Sequence, residues 1–158
     1  MAVTINPLSN ACGVEILGVD MKADLSKADS SEIYQAWLDY LVVVIRDQQD
    51  LTPADQKKFC GNFGKIGEYN RPKERQHPKH ASDEIMLVSN VREDGRVIGA
   101  HPDGEMMWHT DTPYLRNPHK ATTLYGVEIP KIGGNTKFSN QYMVYEALPG
   151  EIKGRLAG

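Results

Sequence analysis

Leu41-Val42-Val43-Val44-Ile45 is a run of five apolar residues, four of them β-branched, closed by the charged pair Arg46-Asp47. A continuous β-branched run this short suits a strand covered on both faces better than a helix, because branching at Cβ crowds a helical turn and packs well on a pleat. The chain on either side reads as helix. Upstream, Asp29-Ser30-Ser31-Glu32 has the form of a capping box, and Ile33, Trp37 and Leu38 or Tyr40 follow at helical spacing, which predicts a helix from about Ser30 to Asp39. Downstream, Thr52 as N-cap and Pro53 at the first helical position predict a second helix, carried through Phe59 to Phe63 and stopped at Gly64. Cys12 to Met21 alternates apolar and polar residues, with Val14, Ile16 and Val19 facing inward, and predicts a short strand or two at the edge of a sheet.

Beyond Gly64 the text changes. Gly67 to Asp83 is polar, proline-broken and without period, and reads as a long surface loop. Its Arg71, Lys73, Arg75 and Lys79, with His77 and His80, are either a solvated charged face, the commoner case, or an attractor for an anionic substrate. Strands are expected at Glu84 to Asn90, with a turn at Glu93-Asp94-Gly95, and at Lys120 to Ile129, rich in threonine, tyrosine and valine. Gly133-Gly134 turns the chain into Asn135 to Phe138. Asn140 to Leu148 is helical in pattern, and a further helix starts near Pro149 and Gly150. The whole is a mixed α+β pattern, without internal repeats.

Composition narrows the class. With 158 residues, 40% hydrophobic and 25% charged, the chain fits one globular domain able to bury a core. A net charge of −3 and a pI near 5.9 argue against a nucleic-acid partner, which calls for a basic face. No apolar run approaches the roughly 20 residues that span a bilayer, and Met1-Ala2-Val3-Thr4 lacks the start of a signal peptide, so the expectation is a cytoplasmic protein without membrane contact. Cys12 and Cys60, without C-x-x-C spacing, suggest free thiols rather than a disulfide framework or zinc site.

The strongest chemical signal is Glu105-Met106-Met107-Trp108-His109-Thr110-Asp111. In an extended strand His109 and Asp111 would share one face, with Thr110 on the other. An imidazole and a carboxylate so placed are two thirds of the 2-His-1-carboxylate triad that holds non-haem Fe(II). The other reading of that spacing, the commoner one, is that the two residues merely hydrogen-bond each other at a strand end. His101-Pro102-Asp103 repeats the spacing, but Pro102-Asp103-Gly104 is turn chemistry, and proline interrupts a ladder, so His101 belongs in a loop.

Trp108-His109-Thr110-Asp111, then Gly133-Gly134-Asn135-Thr136-Lys137-Phe138, then a helix ending Ala147-Leu148, is similar to the taurine dioxygenase (TauD/TfdA) family of Fe(II)- and 2-oxoglutarate-dependent oxygenases. Gly18-Val19-Asp20, Val43 to Asp47, Leu51-Thr52 and Phe63-Gly64 resemble the family's earlier segments in the same order. The resemblance implies a double-stranded β-helix, or jelly roll, flanked by helices, with residues 1–158 as the N-terminal portion of a single domain. It implies His109 and Asp111 as iron ligands and Thr136 as a hydrogen-bond donor to the distal carboxylate of 2-oxoglutarate. The second histidine ligand and the arginine that pairs with that carboxylate are expected beyond Gly158. Fe(II), 2-oxoglutarate and O2 would then oxidise a C–H bond of a small, polar or charged molecule, releasing succinate and CO2.

By the same resemblance Tyr69, Asn70, Arg71 and Glu105 face the substrate, with Tyr114 and Arg116 as weaker candidates. Taurine-specific members place a histidine and an asparagine where this chain has Tyr69 and Glu105, which points away from taurine; Glu105 is either a pocket residue that favours an amine-bearing substrate or an exposed glutamate at the start of a strand. The competing readings are a truncated, catalytically incomplete chain and a non-catalytic small-molecule- or metal-binding β-helix module. Homo-oligomer formation is left open.

Overall fold

The computed structural model describes residues 3–67, 85–100, 104 and 106–157. These divide into two compact units, Met1–Phe63 with Gly126–Gly158, and Gly64–Tyr125. The fold is mixed α+β, with short strands and four helices among the described residues.

The first unit is built on a three-stranded sheet of β1 (Thr4–Pro7), β2 (Val14–Leu17) and β3 (Val43–Val44), in that order. β1 pairs antiparallel with β2, Ile5 opposite Ile16, and β2 pairs parallel with β3, Val14 opposite Val43. A parallel pair needs a crossover, and α1 (Lys27–Tyr40) provides it, burying Ile33 and Ala36 against Val14 and Ile16. Val3, Ile5, Val19, Leu25, Tyr40, Val43, Ile45 and Phe63 surround those four.

The alternation in Val14–Leu17 holds, with Val14 and Ile16 buried and Leu17 exposed. Two expectations are corrected. Val14–Leu17 is the central strand rather than an edge strand, because Thr4–Pro7, where proline is tolerated at a strand end, pairs on its other side. The run Leu41 to Ile45 contributes only Val43–Val44 to the sheet, and both are half-buried rather than covered on both faces. Its first residue, Leu41, is spent on the helix cap, in a left-handed conformation (φ 67°) with its N–H donating to the carbonyl of Trp37. Gln48 satisfies backbone beside β2 that has no strand partner: its amide accepts from the N–H of Met21 and donates to the carbonyls of Val19 and Arg46, each at 2.9 Å.

α1 begins three residues before the expected Ser30. Its N-cap is Ser26, whose hydroxyl accepts from the N–H of Asp29 at 3.0 Å and donates to the Asp29 carboxylate at 2.8 Å. Ile33 lies inward as read, whereas Leu38 is exposed and Ala36 takes the buried position. α2 (Pro53–Gly61) starts where Thr52-Pro53 places it and ends at Asn62. Thr52 and Asp55 form a reciprocal capping box, Asp55 N–H to the Thr52 hydroxyl at 3.2 Å and Thr52 N–H to the Asp55 carboxylate at 3.0 Å.

Thr52→Ala is expected to cost about 1 kcal/mol near neutral pH, read from the urea midpoint. The Thr52 hydroxyl, and then its N–H, hold the Asp55 carboxyl below its ordinary 3.8. A depressed carboxyl stabilises the fold above that ordinary value and loses the effect as pH falls through the lower folded-state value, so the gap between wild type and variant narrows below pH 3.8.

The chain returns to the first unit with α3 (Gln141–Ala147) and α4 (Gly150–Leu156), both as the sequence predicts. Asn140 caps α3, accepting from the N–H groups of Tyr142 and Met143, and its amide donates to the Ala11 carbonyl at 2.7 Å, 129 residues away in sequence. No helix among the described residues is long and apolar enough to cross a membrane.

The second unit contains a hairpin, β4 (Arg92–Glu93) and β5 (Arg96–Val97), joined by Asp94-Gly95 with φ of 49° and 75°. Both positive angles are those of the two-residue turn expected there. The strand expected at Glu84 to Asn90 is reduced, over its described part, to a bridge between Val88 and Ala100. Gly99 permits that approach, since a Cβ there would stand 2.7 Å from the Leu87 carbonyl oxygen and the Ser89 nitrogen. Neither 106–111 nor 120–129 forms a strand. A strand exists through its backbone ladder, and the contact described between the two stretches, from Thr122 to Asp111, is made by side chains. Their apolar side chains stay outside, Met107 87% and Val127 82% exposed.

Candidate metal centre

His109 and Asp111 are brought together without a strand. The His109 Nε2 lies 3.3 Å from Oδ1 of Asp111, and each side chain is about half exposed, 49% and 48%. Directly after Asp111 the chain turns: Thr112 is left-handed (φ 51°), its carbonyl accepts from the N–H of Leu115, and its hydroxyl accepts from the N–H of His119 at 2.9 Å. That turn closes residues 112–119 into a loop ahead of Thr122. The Thr122 hydroxyl donates to Oδ2 of Asp111 at 2.5 Å.

On the other side of the ring, Nδ1 of His109 lies 2.8 Å from the Met107 carbonyl. A carbonyl oxygen only accepts, so this partner assigns the proton to Nδ1 and, in the neutral ring, the lone pair to Nε2. That lone pair faces a carboxylate oxygen. Two acceptors so placed need a cation between them, either a proton on Nε2 or a metal ion. Two donors about 2.1 Å from one ion at near-right angles stand about 3 Å apart, so the observed separation fits a pair of adjacent ligands. The outer contacts are of the kind that orient metal ligands: an imidazole N–H on a carbonyl and a carboxylate oxygen on a hydroxyl. Among the described residues no third histidine, cysteine, aspartate or glutamate joins the pair.

Thr136 lies in the first unit, exposed, two residues after Gly133-Gly134, whose φ of 82° and 67° make the expected turn. Tyr114 and Arg116 follow His109 and Asp111 in the second unit, both exposed. Tyr69, Asn70, Arg71 and Glu105 lie outside the described residues, as do His77, His80, His101 and Asp103. Sequence reasoning missed Thr122 and the Met107 carbonyl. Thr122 stands 11 residues from Asp111, beyond the turn at Thr112, and a backbone carbonyl leaves no residue-type signal.

Among curated proteins, the chain is 34% identical over 154 residues to pentalenolactone F synthase of Streptomyces arenae, covering 96% of this chain and 50% of that one. It is 32% identical to the (S)-phenoxypropionate/alpha-ketoglutarate-dioxygenase of Sphingobium herbicidovorans, covering 98% and 51%. To the alpha-ketoglutarate-dependent 2,4-dichlorophenoxyacetate dioxygenase of Cupriavidus pinatubonensis it is 30% identical, covering 100% and 57%. The chain thus spans about half the length of the curated relatives it matches. A solved taurine dioxygenase from Burkholderia xenovorans overlaps 43% of this chain and 25% of its own, at 31% identity and a TM-score of 0.40. The family model described as "Taurine catabolism dioxygenase TauD, TfdA family" matches residues 4–158. The chain, carrying Trp108-His109-Thr110-Asp111 and Gly133-Gly134-Asn135-Thr136 in order within that match, belongs to the TauD, TfdA family.

Proposed function

We propose that the chain is the N-terminal portion of a single Fe(II)- and 2-oxoglutarate-dependent dioxygenase domain of jelly-roll fold that oxidises a C–H bond of a small molecule. The observation that carries this reading is the facing of His109 Nε2 and Asp111 Oδ1 at 3.3 Å, within a chain matched by the family model along residues 4–158. Family relatives named as alpha-ketoglutarate-dependent dioxygenases support it.

His109 and Asp111 would hold the metal, and Thr136 would donate its hydroxyl to the distal carboxylate of 2-oxoglutarate. When bound, Fe(II) with 2-oxoglutarate and O2 supplies the oxidation, releasing succinate and CO2. Met107 and Thr122 fix the ring and the carboxylate, so the two donor atoms are set before the metal arrives. The described residues leave the ligand set at two.

The test is an anaerobic titration of the protein, expressed with its complete coding sequence, with Fe(II) and 2-oxoglutarate. A visible metal-to-cosubstrate charge-transfer band, and succinate on admitting O2, are expected. Absence of both overturns the reading.

A further inference from the structure

We infer that Thr122 is a positioning residue that makes Asp111 a one-oxygen metal ligand. The inference rests on the metal-centre reading above. A carboxylate offers two oxygens and about four lone-pair sites, so a free aspartate can turn about its Cβ–Cγ bond or chelate through both. Asp111 is about half exposed, and among the described residues Thr122 is its one hydrogen-bond donor. The 2.5 Å distance is that of a charge-assisted O–H···O⁻ bond, and it occupies Oδ2. Oδ1 is the oxygen left facing His109 Nε2. The Met107 carbonyl on Nδ1 performs the same service for the ring. One contact comes from two residues before the histidine and the other from 11 residues after the aspartate, so the two ligand atoms are fixed independently.

Thr122→Val keeps the shape of the side chain and removes the donor; Thr122→Ser keeps the donor. The probe is Co(II), titrated into the protein with its complete coding sequence and followed through its visible d–d bands. Thr122→Val is expected to bind Co(II) about tenfold or more weaker than wild type, with a changed band pattern as Oδ2 becomes free to coordinate. Thr122→Ser is expected to restore both affinity and spectrum. Thr122 is exposed, so the metal-free melting temperature of all three proteins is expected to agree. A Thr122→Val protein that binds Co(II) with wild-type affinity and spectrum overturns the positioning role and leaves the metal centre standing. A wild-type protein that binds no Co(II) overturns the metal centre itself, and the positioning role with it.

Discussion

Asp111→Ala and His109→Ala are each expected to weaken Fe(II) binding by more than about 100-fold and to abolish 2-oxoglutarate-dependent succinate release. The magnitude follows from comparison: loss of a group that merely supports a ligand costs 10- to 100-fold, so loss of the ligand itself costs more. Neither substitution touches the core, since both side chains are about half exposed and the buried cluster is Val14, Ile16, Ile33 and Ala36. Folding is therefore expected to persist, with the far-ultraviolet circular dichroism of wild type. Metal affinity by calorimetry and succinate by chromatography separate the effects. If either variant binds Fe(II) as wild type does, the 3.3 Å contact is only an ion pair and the ligands lie elsewhere.

Ile16→Ala carries the largest expected cost to stability, about 3 kcal/mol within the 2–5 kcal/mol typical of such truncations. Ile16 is 1% exposed on the central strand of the sheet, with Ile5 opposite it on β1 and α1 packed over it. A cavity there has little freedom to collapse, because the crossover β2-α1-β3 pins both strand and helix. Leu17→Ala is the control: one residue further on the same strand, 43% exposed, it is expected to change stability by about 0.5 kcal/mol or less. Urea midpoints of the two variants test the assignment of faces on β2. Equal losses would mean that the alternation in Val14–Leu17 does not set the core.

What was legible in the sequence was local. Thr52-Pro53 and Asn140 cap their helices through hydrogen bonds two or three residues away, so the residues that decide those boundaries stand beside them. Asp94-Gly95 carries its own conformational preference, and the hairpin follows from it. The start of α1 shows the limit of such reasoning. Ser26-x-x-Asp29 and Asp29-x-x-Glu32 are both capping patterns, and the bond between the Ser26 hydroxyl and the Asp29 carboxylate makes Asp29 the third residue of the helix rather than its cap.

The strands expected through His109 and Asp111 and at Lys120 to Ile129 are absent for the opposite reason. Alternation and threonine-rich composition register a preference for extended backbone, but a ladder needs a second segment, and no local pattern reports whether one lies alongside. The pairing of Thr4–Pro7 with Val14–Leu17 was hidden likewise, since proline and asparagine depress the strand signal of a segment that its partner nonetheless orders.

His109 and Asp111 show both sides of this division. Their residue types and one-residue spacing, with the motifs around them, were enough to nominate two metal ligands, because donor chemistry belongs to the side chains themselves. Alternation along a strand does not bring them together, since residues 106–111 form none. A left-handed turn at Thr112 sets the chain's course after Asp111, the Met107 carbonyl turns the imidazole, and Thr122 holds the far oxygen of the carboxylate. Residue types and spacing thus marked out the donor atoms nominated as metal ligands. Tertiary structure alone decided which oxygen of Asp111 is left facing His109, because that choice depends on a hydroxyl 11 residues away that only folding brings within reach, whereas the ring is turned by a carbonyl two residues before it.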